Sequence, residues 1–151
     1  MLVMIYSTEP ADFKKGIDVV GCYIEHAGEF LLLYRQPLKS NGNKWGMPAG
    51  KVDAGETKSQ AMSREIREET GIEISETDLQ YFDSVFVQHE GTDFIYYMFS
   101  VQLVERPEVT ISPQEYHGFR WVSPAEAKAM DNLVHDNEAC IELFYPSIHT
   151  I

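Results

Sequence analysis

The sequence predicts a single α/β domain, and three observations carry that expectation. Strand-type runs rich in aliphatic and aromatic residues alternate with segments that open on helix-capping signals. The length, 151 residues, suits one hydrophobic core, and 44% hydrophobic with 24% charged residues is the composition of an ordinary globular protein. No repeat, low-complexity run or Pro/Gly/Ser-rich linker divides the chain, so residues 1–151 read as one domain.

Taken in order, the elements justify themselves locally. "IDVVGCYIE" (17–25) and "FLLLYR" (30–35) read as strands, joined by the short hairpin-like connection "HAGE". "QPLKSNGNKWGMPAG" is rich in Pro, Gly and Asn and reads as a loop. A helix follows: Thr57 caps it, Gln60 three residues later completes a capping box, and Gly71 is the C′ residue that stops it. "YFDSVFVQH" (81–89) and "DFIYYMFSVQLV" (93–104) read as a strand pair with "EGT" between them. "FRWV" (119–122) is a short strand. "SPAEAKAM" opens a helix, with Ser123 as N-cap, Pro124 in the first turn and Glu126 completing the box. A last helix is expected over 136–145. Tyr96, Tyr97, Met98 and Phe99 alternate along their strand, half toward a core and half toward a pocket.

Charge narrows the function classes. The formal net charge is −12, which disfavours nucleic-acid polymers and anionic membranes as partners. A small phosphorylated ligand remains compatible, provided cations stand between it and the protein. Cys22 and Cys140 form no metal-binding or redox motif and read as small buried residues of a reducing compartment. "MLVMIYSTEP" lacks the basic n-region and cleavage site of a signal peptide, and no run approaches the roughly 20 apolar residues of a membrane span. A cytoplasmic protein is expected.

The chemistry-bearing stretch is "GKVDAGETKSQAMSREIREETGI" (50–72). At about 100° per helical residue, counted from Ala61, Glu65 falls near about 40°, Glu68 near about 340° and Glu69 near about 80°. The three carboxylates share one arc, Met62 and Ile66 lie beside it toward the sheet, and Arg64 and Arg67 point elsewhere. A solvated face with i,i+4 pairs such as Arg64–Glu68 is the ordinary account of such a helix. Three clustered carboxylates without an interleaved cation repel one another, however. Hard divalent cations relieve that, since Mg²⁺ takes oxygen ligands from carboxylates and substrate phosphates.

The spacing Gly50, five residues, Glu56, seven residues, then Arg64-Glu65-Ile66-Arg67-Glu68-Glu69-Thr70-Gly71-Ile72 resembles the Nudix box, G-x5-E-x7-R-E-U-x-E-E-x-G-U with U aliphatic, at every specified position. "WGMPAGK" before it and "EYHGFRWVSPAEA" after it resemble other segments of that family. The resemblance implies a Nudix fold, a mixed β-sheet sandwiched between α-helices. It also implies hydrolysis of a diphosphate linkage in a nucleoside diphosphate derivative by water attack at phosphorus, with Mg²⁺ or Mn²⁺ as cofactor.

Carried over position by position, Glu68 and Glu69 match the principal metal ligands. Glu65 matches a residue that is the general base in some members and a further ligand in others. Arg64 matches the arginine that holds this glutamate, and Glu56 one that supports the metal shell or pairs with the arginine. Gly50 permits a close turn. Ala49 stands where many relatives have a glycine whose carbonyl contacts a metal. Glu115, six residues before Trp121, matches a late-loop glutamate that ligates in some relatives, and His117 beside it is a candidate phosphate contact or acid/base group. Arg35 and Lys44 are candidate phosphate contacts, and Trp45 either stacks on a base or packs its loop.

The box names the reaction and leaves the substrate open. The proline found about sixteen residues after the box in many ADP-ribose pyrophosphatases is Gln88 here. Nucleoside triphosphates lead, with nucleotide sugars, ADP-ribose and pterin triphosphates behind, and a non-catalytic nucleotide sensor as the alternative class. Many relatives are dimers, so a homodimer is among the implied partners.

Overall fold

Strand β2 (Lys15–His26) runs through the middle of the molecule because both of its faces are apolar and both must be covered. In the computed structural model, which describes residues 3–89 and 91–146, it turns through Ala27 and Gly28 into β3 (Glu29–Arg35). Both turn residues have positive φ, 51° and 80°, the left-handed pair that a two-residue hairpin requires. The remaining strands are β1 (Met4–Tyr6), β4 (Trp45–Gly46), β5 (Ala49–Lys51), β6 (Gln80–His89), β7 (Thr92–Gln102) and β8 (Tyr116–Val122). The helices are α1 (Lys58–Thr70), α2 (Pro124–Lys128) and α3 (His135–Phe144), with a 3₁₀ turn at Glu76–Asp78.

The strands form one mixed sheet in the order β1-β6-β7-β2-β3-β4. β2 and β7 pair in parallel from Lys15/Asp93 to Glu25/Gln102, and the other pairings are antiparallel. One edge of β2 is shared: β5 pairs with it at Val19–Gly21, and β3 beyond the hairpin. β8 lies against the far side of β3.

Alternation along the strands divides the core into two layers. Val20, Cys22, Ile24, Leu31, Leu33, Phe99 and Val101 face α1, whose Met62 and Ile66 are fully buried against them. Tyr23, Phe30, Leu32, Tyr96 and Met98 face α2 and α3. Burial of a side chain such as Ile66 or Met62 contributes about 1.5–3 kcal/mol. Helix α1 begins and ends as its sequence dictates. Thr57 Oγ1 accepts the Gln60 N–H at 3.1 Å, Gln60 Oε1 accepts the Thr57 N–H at 2.8 Å, and Gly71 closes the helix at φ 73°.

Several expectations are corrected here. The segment between β3 and α1 contains two short strands, β4 and β5, which pair with β3 and β2 across only two and three residues. Runs this short have no room to show alternation. β1 likewise lies within an opening segment without strand punctuation. β7 ends at Gln102, two residues before the apolar run does, and β8 starts at Tyr116 rather than Phe119, so His117 lies on a strand and not a loop. The last helix spans His135–Phe144, one residue earlier than expected. Glu90, within the expected "EGT" connection, lies outside the described residues, as do residues 1–2 and 147–151 of the expected single domain. No helix among the described residues is long and apolar enough to cross a membrane.

Gly21 marks a tight packing point on the α3 side. A Cβ there would overlap the hydroxyl and ring of Tyr96, which is 1% exposed. Gly21→Ala is expected to lose about 1–3 kcal/mol by overpacking, read from its urea midpoint. Combined with Tyr96→Leu, the loss is expected to fall short of the sum of the two single changes. A Gly21→Ala protein as stable as the parent would contradict this packing.

Candidate functional site

Helix α1 carries the acidic face, and burial grades it. Glu69 is 4% exposed, while the side chains of Glu65 and Glu68 are 13% and 53% exposed. The arc expected from helical geometry is therefore real, with one carboxylate inside the protein, one at its boundary and one in solvent.

Arg64 does not point away from this face. Its Nε and Nη2 grip Glu56 at 2.7 and 2.9 Å, and its Nη1 reaches Glu65 at 2.8 Å and Glu68 at 3.2 Å. Nη2 also donates to the carbonyl of Lys51 at 3.0 Å and lies 3.4 Å from Asp53. The carboxylates thus have an interleaved cation, contrary to expectation, because a long guanidinium side chain folds back over one helical turn. Both Glu56 oxygens are engaged by Arg64, and Glu56 Oε1 also accepts the Asp53 N–H at 2.9 Å. These contacts hold its carboxyl at about 2 rather than the ordinary 4.5.

Strand β5 supplies the floor. Ala49 donates its N–H to Glu69 Oε1 at 3.1 Å. Gly50 lies in that strand and makes no positive-φ turn; its expected role is replaced by a steric one. A Cβ at position 50 would fall inside the Glu65 carboxylate, so glycine there is what admits Glu65 to the sheet.

Burial raises the Glu69 carboxyl well above its ordinary range, and the neighbouring Glu65 charge adds to that. Burial also raises Glu65, with Arg64 opposing it. Glu115 is near enough to raise Glu69 further. Among the described residues, no three His, Cys, Asp or Glu side chains converge into a ready-made metal cage. Even so, the donor set fits a hard cation. It consists of carboxylate oxygens alone, and Arg64 reaches Glu65 and Glu68 but not the buried Glu69.

Beside this cluster a cleft of about 380 Å³ opens on the α3 side of the sheet. Ala49, Tyr116, Arg35 and Lys51 line its end nearest the carboxylates, and Met47, Phe94, Tyr96 and Asp136 line the rest. Local structure delivers α3 to it. Trp45 N–H donates to the Asn132 carbonyl and Val134 N–H to the Trp45 carbonyl, and Asn137 Oδ1 accepts the Met47 N–H at 2.9 Å.

The NUDIX domain family matches residues 15–144. The CTP pyrophosphohydrolase of Escherichia coli (strain K12) is 34% identical over 113 residues, 75% of this chain and 80% of that protein. The chain belongs to the Nudix hydrolases. It is MutT-like and of the pyrophosphohydrolase class. The crystal structure of the MutT protein of Methanosarcina mazei Go1 superposes with a TM-score of 0.73 at 30% identity, over 87% of this chain and 94% of that one. "Putative nudix hydrolase 1" of Caenorhabditis elegans is 33% identical over 66% of this chain but only 26% of its own length, so this chain spans about a quarter of that relative.

Within the Nudix frame, the expected site residues separate. Glu56, Arg64, Glu65, Glu68, Glu69, Ala49 and Gly50 form one cluster, with Glu115 at its edge, and Arg35 lines the adjoining cleft. Three others lie elsewhere. Lys44 Nζ meets His135 Nε2 at 2.9 Å, Trp45 packs on Tyr34 with ring centroids 4.6 Å apart, and His117 is exposed and stacks on Tyr34 with ring centroids 4.5 Å apart. Sequence reading missed Lys51, Tyr116 and Asp136. Lys51 and Tyr116 were detectable as direct neighbours of Gly50 and Glu115, whereas nothing local marks Asp136.

The arginine hub has a titration signature. Glu56 loses its last charge only as pH falls toward about 2, so the stability it contributes is full above about 4.5 and declines between those values. In Arg64→Gln, carboxyl-detected NMR is expected to return the Glu56 midpoint toward 4.5. A midpoint that stays near 2 would show that Arg64 is not the cause.

Proposed function

We propose that this protein hydrolyses the diphosphate linkage of a nucleoside triphosphate, with Mg²⁺ or Mn²⁺ as cofactor. The observation that carries this reading is the juxtaposition of the carboxylate face of α1, with Glu69 buried against Ala49 and Glu65 beside it, with a cleft lined by two cations, Arg35 and Lys51. The cleft volume suits a small ligand. The relative named for CTP supports a nucleoside triphosphate ahead of the nucleotide-sugar, ADP-ribose and pterin triphosphate alternatives.

In this reading Glu68 and Glu69 would hold the divalent cation, with the Ala49 carbonyl and Glu115 as further ligands, and Glu65 would serve as the base. Bound there, the cation neutralises phosphate oxygens and favours water as nucleophile. The chain's own groups do the rest. Arg35 and Lys51 draw the phosphates to the β5 end of the cleft, while Met47, Phe94 and Tyr96 receive the nucleoside. Glu65 has Oε1 committed to Arg64, which leaves Oε2 to take the proton of the attacking water. Glu56 acts through Arg64, anchoring the guanidinium that orients Glu65. Lys44, Trp45 and His117 have no assigned role in this reading.

The test is phosphate and pyrophosphate release from nucleoside triphosphates, nucleotide sugars, ADP-ribose and dinucleoside polyphosphates, with Mg²⁺ or Mn²⁺ at mildly alkaline pH. Glu68→Ala is expected to lower turnover by about 100-fold while leaving the thermal midpoint in place, since Glu68 is solvent-exposed. Turnover that survives both this change and chelation would end the metal-dependent reading. Silence of the parent across the panel, with nucleotide binding intact, would favour the sensor.

A further inference from the structure

The cleft crosses the sheet strand by strand. Lys51 lines it on β5, Val19 on β2, Phe94 on β7, Val87 on β6, and Val3 just before β1. Four strand spacings separate its ends, about 19 Å. Arg35 and Lys51 stand at the β5 end, so the base of a nucleotide seated there by its phosphates points toward β1. The space does not stop at that edge. Val3 and His135 line the cleft and also line a second groove, of about 570 Å³, between β1 and α3. The two are therefore contiguous, with His135 at the passage between them. Lys44 fixes that ring in place: an ammonium can only donate, so its 2.9 Å bond ends on the lone pair of His135 Nε2.

The lining of the groove suits an uncharged apolar group. Met4 and Ile5 form one wall, Ala139 stands on the other, and the buried core residues Leu133 and Ile141 close it toward the interior. Met4 is 40% exposed, so that wall meets water unless a ligand covers it. The charged groups offer a phosphate nothing. Lys128 Nζ is taken by Glu142 at 3.1 Å and by the Tyr145 carbonyl, and Glu138 and Glu142 are themselves anions.

We propose that this groove is a second compartment of the substrate site, which takes an apolar alkyl or aryl substituent carried on the base of a nucleoside triphosphate. The phosphates stay at Arg35 and Lys51, the nucleoside lies on Met47, Phe94 and Tyr96, and the substituent passes between Val3 and His135 to reach Met4 and Leu133. Covering that wall removes apolar surface from water, a gain that goes only to the substituted base. Glu138 and Glu142 set the sign of the selection, because an anionic substituent meets like charge there. The carboxylate face of α1 makes no such distinction, since it serves the diphosphate alone. This inference rests on the nucleoside triphosphate reading made above.

The experiment compares kcat/KM for ATP with N⁶-benzyl-ATP, and for CTP with N⁴-benzyl-CTP, using the full chain and Mg²⁺. In at least one pair the benzyl form is expected to be favoured by about 10-fold or more, through a lower KM. Ala139 is exposed and lies on α3, away from the carboxylates. Ala139→Trp fills the groove and is expected to abolish the benzyl preference while leaving kcat/KM for plain ATP and CTP close to the parent. Met4→Arg, on the opposite wall, is expected to act in the same direction and carries the test should Ala139→Trp fail to fold. Equal kcat/KM within both pairs overturns the groove as a substrate compartment and leaves triphosphate hydrolysis standing. So does a benzyl preference that survives in the folded variants. No turnover of any triphosphate, plain or substituted, overturns instead the nucleoside triphosphate reading and this inference with it.

Discussion

A single guanidinium, that of Arg64, holds Glu56 with two prongs and spreads its remaining N–H groups over Glu65, Glu68 and the carbonyl of Lys51. Without it, the acidic face of α1 would set like charges together at the edge of a sheet, one of them half inside a low-dielectric interior. Isolated exposed ion pairs contribute little, about 0–1 kcal/mol, because water already serves both partners. Arg64 differs in that its own side chain and those of Glu56 and Glu65 are no more than 20% exposed, and the contact to Lys51 joins helix to strand. It therefore fixes where α1 sits on β5 as well as what charge its face presents.

That placement would fail if β5 carried ordinary side chains. Gly50 pairs with Val20 and so faces α1, where the missing side chain makes room for Glu65. Gly21 pairs with Ala49 and faces the other layer, where its missing side chain makes room for the Tyr96 ring that lines the cleft. Two adjacent rungs of one short ladder thus open space on opposite faces, one for a carboxylate and one for the wall of a binding cleft. Neither glycine has a positive φ, so both positions are set by neighbouring bulk and not by backbone conformation.

Local signals made much of this legible in the sequence. The capping box at Thr57 and Gln60 and the Gly71 stop fixed α1 to the residue, and helical periodicity put Met62 and Ile66 on the sheet with the glutamates beside them. What escaped was whatever depended on the third dimension. The helical step reports where a Cα–Cβ bond points, and Arg64 carries its charge far enough beyond that direction to return to Glu65 and Glu68. β4 and β5 owe their existence to partners on β3 and β2, and so leave no pattern of their own. Tyr116 was given no role because β8 begins three residues earlier than the strand expected at 119–122.

The two layers divide the work in a way that explains why a motif can name a reaction and stay silent on the substrate. The motif residues lie on α1, its entry turn and β5, where they build a carboxylate cluster that any diphosphate would find equally serviceable. The cleft is walled by β4, β7 and the start of α3, from Met47, Phe94, Tyr96 and Asp136, none of which belongs to the motif. The net charge of −12 need not repel a polyanion from such a place. At physiological salt, surface charges more than about 8 Å away are largely screened, and the groups within that range include Arg35 and Lys51. On the function proposed above, substrate choice would be a property of one face of the sheet and chemistry a property of the other. Ala49 is where the two faces meet, since it lines the cleft and donates its N–H to Glu69.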